Sequence, residues 1–114
     1  MPYLKIQCNQ SVPEAEQEKI IKGASSLVAK EVGKPERYVM VAFDPALPMV
    51  FAGNDDPCAY LELKSIGLPQ AQTTGLSNAL CEFIHRTMNI ATDRIYIEFT
   101  DAPRAMWGWN KGTF

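Results

Sequence analysis

"YLKI", Tyr3 to Ile6, returns as "YLEL", Tyr60 to Leu63, 57 positions later. "ERYVM", Glu36 to Met40, returns as "DRIYI", Asp93 to Ile97, at the same offset. A helical pattern lies inside each pair. The first places Ile20, Ala24, Leu27, Val28 and Val32 on one face, and the second places Leu76, Leu80, Phe83, Ile84 and Met88 there. Spacings of three and four make each set an amphipathic stripe. The stripes match at an offset of 56, so one residue slips between the halves. Each half therefore reads as strand–helix–strand, within one domain over 1–114 whose halves are about 1–57 and 58–114.

This repeat predicts the fold class, α+β. A right-handed crossover makes the two strands of each half parallel. Two such units side by side give a four-stranded mixed sheet with both helices on one face. The strands agree. Leu4, Ile6 and Cys8 alternate with Tyr3, Lys5 and Gln7, Leu61 and Leu63 with Glu62 and Lys64, and Ile95, Ile97 and Phe99 with Tyr96 and Glu98. One face is apolar and carries the helices. The other mixes Tyr and Met with Lys and Glu. Its tyrosines are costly to expose in so small a monomer, which predicts an oligomer that encloses them around a wet channel.

The helix ends are also written in the sequence. Ser11 and Glu14 form an S-x-x-E capping box, with Pro13 in the first turn. Gly33 suits a left-handed stop, and Pro35 prevents continuation. Pro69 fits a first helical turn, and Asn89 a stop. The turn-rich segment "DPALPMVFAGNDDP" carries a short apolar strand, "MVF", at Met49 to Phe51.

Composition bounds the function. With 114 residues, 46% hydrophobic and 21% charged, the chain can bury one core. A net charge of -2 without a basic stripe argues against a nucleic-acid partner. Three cysteines, Cys8, Cys58 and Cys81, are too few and odd in number for a disulfide framework, which fits a reducing compartment. The first residues lack the apolar core of a signal peptide, and no stretch is long enough to span a membrane. The expected location is cytoplasmic; export without a signal peptide leaves no mark in a sequence. His85, the one histidine, has no Cys or carboxylate at ligand spacing and reads as structural, so no metal is expected.

Pro2 follows Met1 directly and is small enough for the methionine to be trimmed. That would leave a secondary amine at the start of a strand.

The whole chain resembles the macrophage migration inhibitory factor family of tautomerases. The resemblance is carried by "MP" at the start, "GKP" at Gly33 to Pro35, "YVMV" at Tyr38 to Val41, and "PMVFAG" at Pro48 to Gly53. It continues through "DPCA" at Asp56 to Ala59, "SIG" at Ser65 to Gly67, "DRIYIEF" at Asp93 to Phe99, and "GWNKGTF" at Gly108 to Phe114. The resemblance implies a homotrimer of βαββαβ subunits with pockets between neighbours. It implies keto–enol tautomerisation with the N-terminal proline as base, and no cofactor. Pro2 is then the catalytic residue. Lys34 lowers the amine pKa and meets the substrate carboxylate, with Ser65 and the backbone of Ile66 as a second anchor. Tyr96 and Glu98 come from the neighbouring subunit, while Tyr38, Trp107 and Phe114 supply aromatic walls. The implied substrate is a flat aryl 2-oxo acid such as phenylpyruvate.

Each residue also has a plainer reading. Lys34 fits the negative end of the first helix. Tyr96, Trp107 and Phe114 fit a core or an interface, and Glu98 a solvated strand charge. Two alternative functions follow. One is a cytokine-like protein that binds a receptor, its identity unknown, with a secondary pocket. The other is a thiol oxidoreductase, disfavoured because Leu61 stands where well-known members have the second cysteine of C-x-x-C. Two further departures from the family pattern are acidic Glu98, often an amide, and bulky Trp107 at the expected pocket mouth.

Overall fold

A computed structural model describes all residues, 1–114. Its strands are β1 (Tyr3–Cys8), β2 (Met40–Asp44), β3 (Ala59–Ile66) and β4 (Ile95–Ala102), with a small hairpin of β5 (Gly108–Trp109) and β6 (Gly112–Thr113). Two helices, α1 (Glu14–Val32) and α2 (Thr73–Met88), connect β1 to β2 and β3 to β4. The sheet order is β2-β1-β3-β4. β1 pairs with β2 and β3 with β4 in parallel, and the halves meet where β1 and β3 run antiparallel. This is the mixed sheet that the repeat predicts.

The core lies between one sheet face and both helices. Leu4, Ile6, Leu61 and Leu63 are fully buried from the sheet side. Ile20, Ala24 and Val28 of α1 and Leu76, Leu80, Phe83 and Ile84 of α2 meet them. Each large side chain so buried contributes roughly 1.5–3 kcal/mol. The close packing extends to the helix pair: a Cβ on Gly23 would stand 3.2 Å from the Phe83 ring. The opposite sheet face is open, with Met40 and Tyr96 about two-thirds exposed.

Both predicted helix stops hold. Gly33 takes φ 74°, and its N–H and that of Lys34 both donate to the Ala29 carbonyl. Asn89 takes φ 55° and closes α2 on His85. The His85 ring makes a structural contact, its Nδ1 lying 3.0 Å from the Ile90 carbonyl.

Three expectations need correction. The capping box does not form: α1 has no side-chain cap and starts after Pro13, which is extended at ψ 146°. Val12 precedes that proline, and a residue before proline is excluded from the helical region, so the helix cannot begin at Ser11. Gln17 Nε2 instead donates to the Val12 carbonyl. "MVF" is not a strand. Phe51 pairs only with Asn54 across a tight turn in which Ala52 and Gly53 have φ of 54° and 78°. Finally, the repeated "ERYVM" and "DRIYI" are not wholly strand. Each enters through a 3₁₀ turn, Glu36–Tyr38 and Thr92–Arg94, before its strand begins. Pro69 likewise precedes a 3₁₀ turn, Gln70–Gln72, that leads into α2.

Candidate active site

Pro2 is buried at the head of β1. Its carbonyl accepts a 3.0 Å hydrogen bond from the Met40 N–H, which locks the chain start against β2. Pro35 sets up the turn before β2, and the Tyr38 N–H closes that turn on the Pro35 carbonyl. The turn brings Tyr38 beside Pro2. From the other side comes the β5–β6 hairpin, whose turn residues Asn110 and Lys111 have φ of 48° and 70°. Positive φ at both central positions matches the twist of a two-residue hairpin. The Phe114 N–H donates to the Trp107 carbonyl and returns the last residue to the same place.

Between these pieces is a cavity of about 470 Å³, mostly apolar, that Pro2, Tyr38, Trp107 and Phe114 line together. Its size suits a small organic ligand. Trp109 and Phe114 stack at 5.3 Å, and Tyr38 meets both edge-on at 5.9 and 5.8 Å. Such pairs fix ring orientation. A larger open cleft of about 610 Å³ lies beside α2, near Ser77 and Cys81. It is polar, lacks a cation and shares no lining residue with the Pro2 cavity, so the smaller aromatic cavity is the better candidate.

The terminal amine is held below its ordinary pKa, chiefly by burial and further by the Lys34 ammonium. The environment at this chain end therefore favours a neutral amine. That amine belongs to Met1, which also borders the cavity. With Met1 in place, the Pro2 nitrogen is an amide.

Within one chain, the other residues singled out from the sequence stand apart from this cavity. Lys34 and Ile66 line a neighbouring groove with Asp101 and Arg104. Ser65 is fully buried, its Oγ 3.5 Å from the Ile66 carbonyl. Tyr96 packs on Phe51 at 4.7 Å in a third, apolar groove. Glu98 lies on the open sheet face, where its carboxylate accepts from the Tyr60 hydroxyl at 2.7 Å. Trp109 and Arg37 are among the lining residues that were not anticipated. Trp109 sits inside the quoted "GWNKGTF", and its spacing of two from Trp107 was the signal available.

No group of three or more His, Cys, Asp or Glu is placed to hold a metal ion. No helix is long and apolar enough to cross a membrane. All three cysteines are free, and Cys58 is buried.

A two-helix mixed sheet with an aromatic cavity at the head of its first strand defines a compact α+β class shared with known proteins. The family model for macrophage migration inhibitory factor matches residues 1–114. The chain is 36% identical to macrophage migration inhibitory factor of Xenopus tropicalis, over 94% of this chain and 90% of that one. It is 37% identical to a homolog from Brugia malayi, over 100% and 99%. Among solved structures, a homologue from Prochlorococcus marinus superposes with a TM-score of 0.93 at 39% identity, covering 98% of each chain. The Toxoplasma gondii protein superposes at 0.90 with 32% identity, over 98% and 99%. The chain belongs to the macrophage migration inhibitory factor family, within the tautomerase superfamily.

Proposed function

We propose that this protein is a cofactor-independent keto–enol tautomerase of aryl 2-oxo acids such as phenylpyruvate. The observation that carries this reading is the chain start itself: Met1 and the buried Pro2 border a cavity with aromatic walls, where burial and then Lys34 lower the pKa of the Met1 amine. After removal of Met1, the base is the secondary amine of Pro2. A neutral amine takes the proton from the carbon beside the ketone, and the proton is returned at the carbonyl oxygen, giving the enol. The reverse order regenerates the ketone, so nothing is consumed. Lys34, with Ser65 and the backbone of Ile66, anchors the carboxylate, and Tyr38, Trp107 and Phe114 sandwich the ring. Tyr96 and Glu98 complete the pocket from a neighbouring copy in a homotrimer.

The test is a tautomerase assay on phenylpyruvate, with the N-terminus of the same preparation defined by mass spectrometry. Protein beginning at Pro2 is expected to turn over, and Pro2→Gly to lose most activity with its fold intact. Full activity in that variant removes Pro2 as the base.

A second reading rests on the name shared by the relatives, which describes an effect on macrophages. It makes the chain a cytokine-like protein that binds a receptor. Receptor binding that survives in a Pro2 variant without turnover would favour it.

A further inference from the structure

The guanidinium of Arg37 is the unused cation of the aromatic cavity. It comes from the 3₁₀ turn Glu36–Tyr38 and lies over the Tyr38 ring, 4.7 Å from its centroid. It borders the same cavity as Pro2, yet enters none of the chain's three ion pairs. No Asp or Glu side chain lines that cavity. The adjacent Glu36 turns the other way, with its carboxylate 3.5 Å from the Ser26 hydroxyl. A planar guanidinium stacked on an aromatic ring is already oriented, so it loses little freedom when it receives an anion. Lys34 acts on the terminal amine from a different groove. The two cations thus stand in different places, Arg37 at the aromatic cavity and Lys34 in the neighbouring groove.

We infer that Arg37 is a specificity-determining residue that selects ligands with a second oxyanion, distinct from the group that Lys34 meets. The preferred class is an aromatic dianion: a 2-oxo acid whose ring carries a further carboxylate. Arg37 suits this because its fork can take a carboxylate through two parallel N–H bonds, while the ring of the ligand rests among Tyr38, Trp109 and Phe114. The inference rests on the proposed tautomerase reading only for the identity of the reacting end. The second anion site stands on the cavity alone.

The test compares two probes that cannot react, benzoate and terephthalate, the latter a dianion at neutral pH. Binding to the purified full-length chain is followed by calorimetry, with the N-terminus known by mass spectrometry. Terephthalate is expected to bind roughly fivefold tighter, the upper range for an exposed ion pair, with the margin shrinking as salt rises. Arg37→Met keeps the stem on Tyr38 and should bring the two affinities together. Arg37→Lys should keep part of the difference. Equal affinities in the wild type, no binding of either probe, or a preference that survives Arg37→Met would each overturn the inference. Turnover is not read in this experiment. A chain that prefers terephthalate through Arg37 but leaves phenylpyruvate unchanged would refute the tautomerase and spare the second anion site.

Discussion

The Tyr60 hydroxyl donates a 2.7 Å hydrogen bond to the Glu98 carboxylate across the parallel pair of β3 and β4. The two are diagonal neighbours, since Tyr60 stands opposite Tyr96 and Glu98 opposite Glu62. Two carboxylates thus face each other on the open sheet, and the phenol satisfies one of them.

This bond makes Tyr60 a weak acid. Its phenol is pushed from 10.0 up to about 12, chiefly because Glu98 holds the proton. A group whose folded pKa is raised stabilises the fold below its unfolded pKa. Here that contribution is complete below pH 10 and is lost as pH climbs toward 12. Ultraviolet titration should show a tyrosine ionising at about 12, and Glu98→Gln should return it toward 10. A titration curve that the substitution leaves unmoved would show that the bond is absent in solution.

The chain-start amine gives a second pH effect. The Met1 amine is lowered by burial and then by Lys34, and the Pro2 amine freed by removal of Met1 is expected to meet the same two influences. A base works when neutral, so turnover should fall as pH drops through that pKa. Lys34→Ala removes the cation, so the pKa should rise and the acid limb of kcat/KM should move to higher pH. Glu98→Gln should move it the other way if Glu98 faces the amine of a neighbouring copy. Superimposed profiles for wild type and Lys34→Ala would show that Lys34 does not tune the base.

The open face carries the third prediction. Met40 and Tyr96 are exposed there, and the outer strands β2 and β4 each leave an edge unpaired. Natural sheets seldom leave such edges and apolar side chains bare. We expect light scattering at micromolar concentration to give three times the mass of the 12.7 kDa chain. A stable monomer would refute the trimer and, with it, any pocket completed by Tyr96 and Glu98.

Arg94 carries the fourth. Its guanidinium donates to the carbonyls of Phe51, Asn54, Asp56 and Pro57 at 3.0–3.3 Å and lies 5.2 Å from the Phe51 ring centroid. One side chain therefore holds the turn that "MVF" enters. Lysine keeps the charge but not the fork. Arg94→Lys should cost about 1–3 kcal/mol in urea denaturation, as carbonyls lose their donors. A change below about 0.5 kcal/mol, the ordinary surface value, would mean that water replaces the clamp.

Much of the fold was legible because the pattern repeats. The stripes through Ile20 and Leu76, and the alternation through Leu4 and Leu61, record burial on one sheet face. Gly33 and Asn89 marked their helix ends because left-handed backbone favours those residues. The start of α1 was misread because a capping motif and a proline competed, and the proline's steric effect on Val12 prevailed. "MVF" is apolar like a strand, but without a partner strand it becomes the arm of a turn. The hairpin that delivers Trp109 was hidden because Lys111 occupies a position where glycine is the usual signal. The site was half legible. Pro2, Tyr38, Trp107 and Phe114 converge in one chain, while Arg37 was concealed by its ordinary place in a turn of charged residues. Tyr96 and Glu98 belong to β4, which one chain places away from that cavity.

The seal between the Met40 N–H and the Pro2 carbonyl bears on the order of events in biosynthesis. Once that bond forms, Pro2 is buried and Met1 is half enclosed. An aminopeptidase needs an extended, accessible end, so the folded chain is expected to be a poorer substrate for the processing that the proposed chemistry requires than the unfolded chain. The strand that pairs antiparallel with β1 does not begin until Ala59. At roughly 5–20 residues per second, several seconds of translation separate the two. Removal of Met1 is therefore expected before β1 gains its partner strands, while Pro2 is still unpaired.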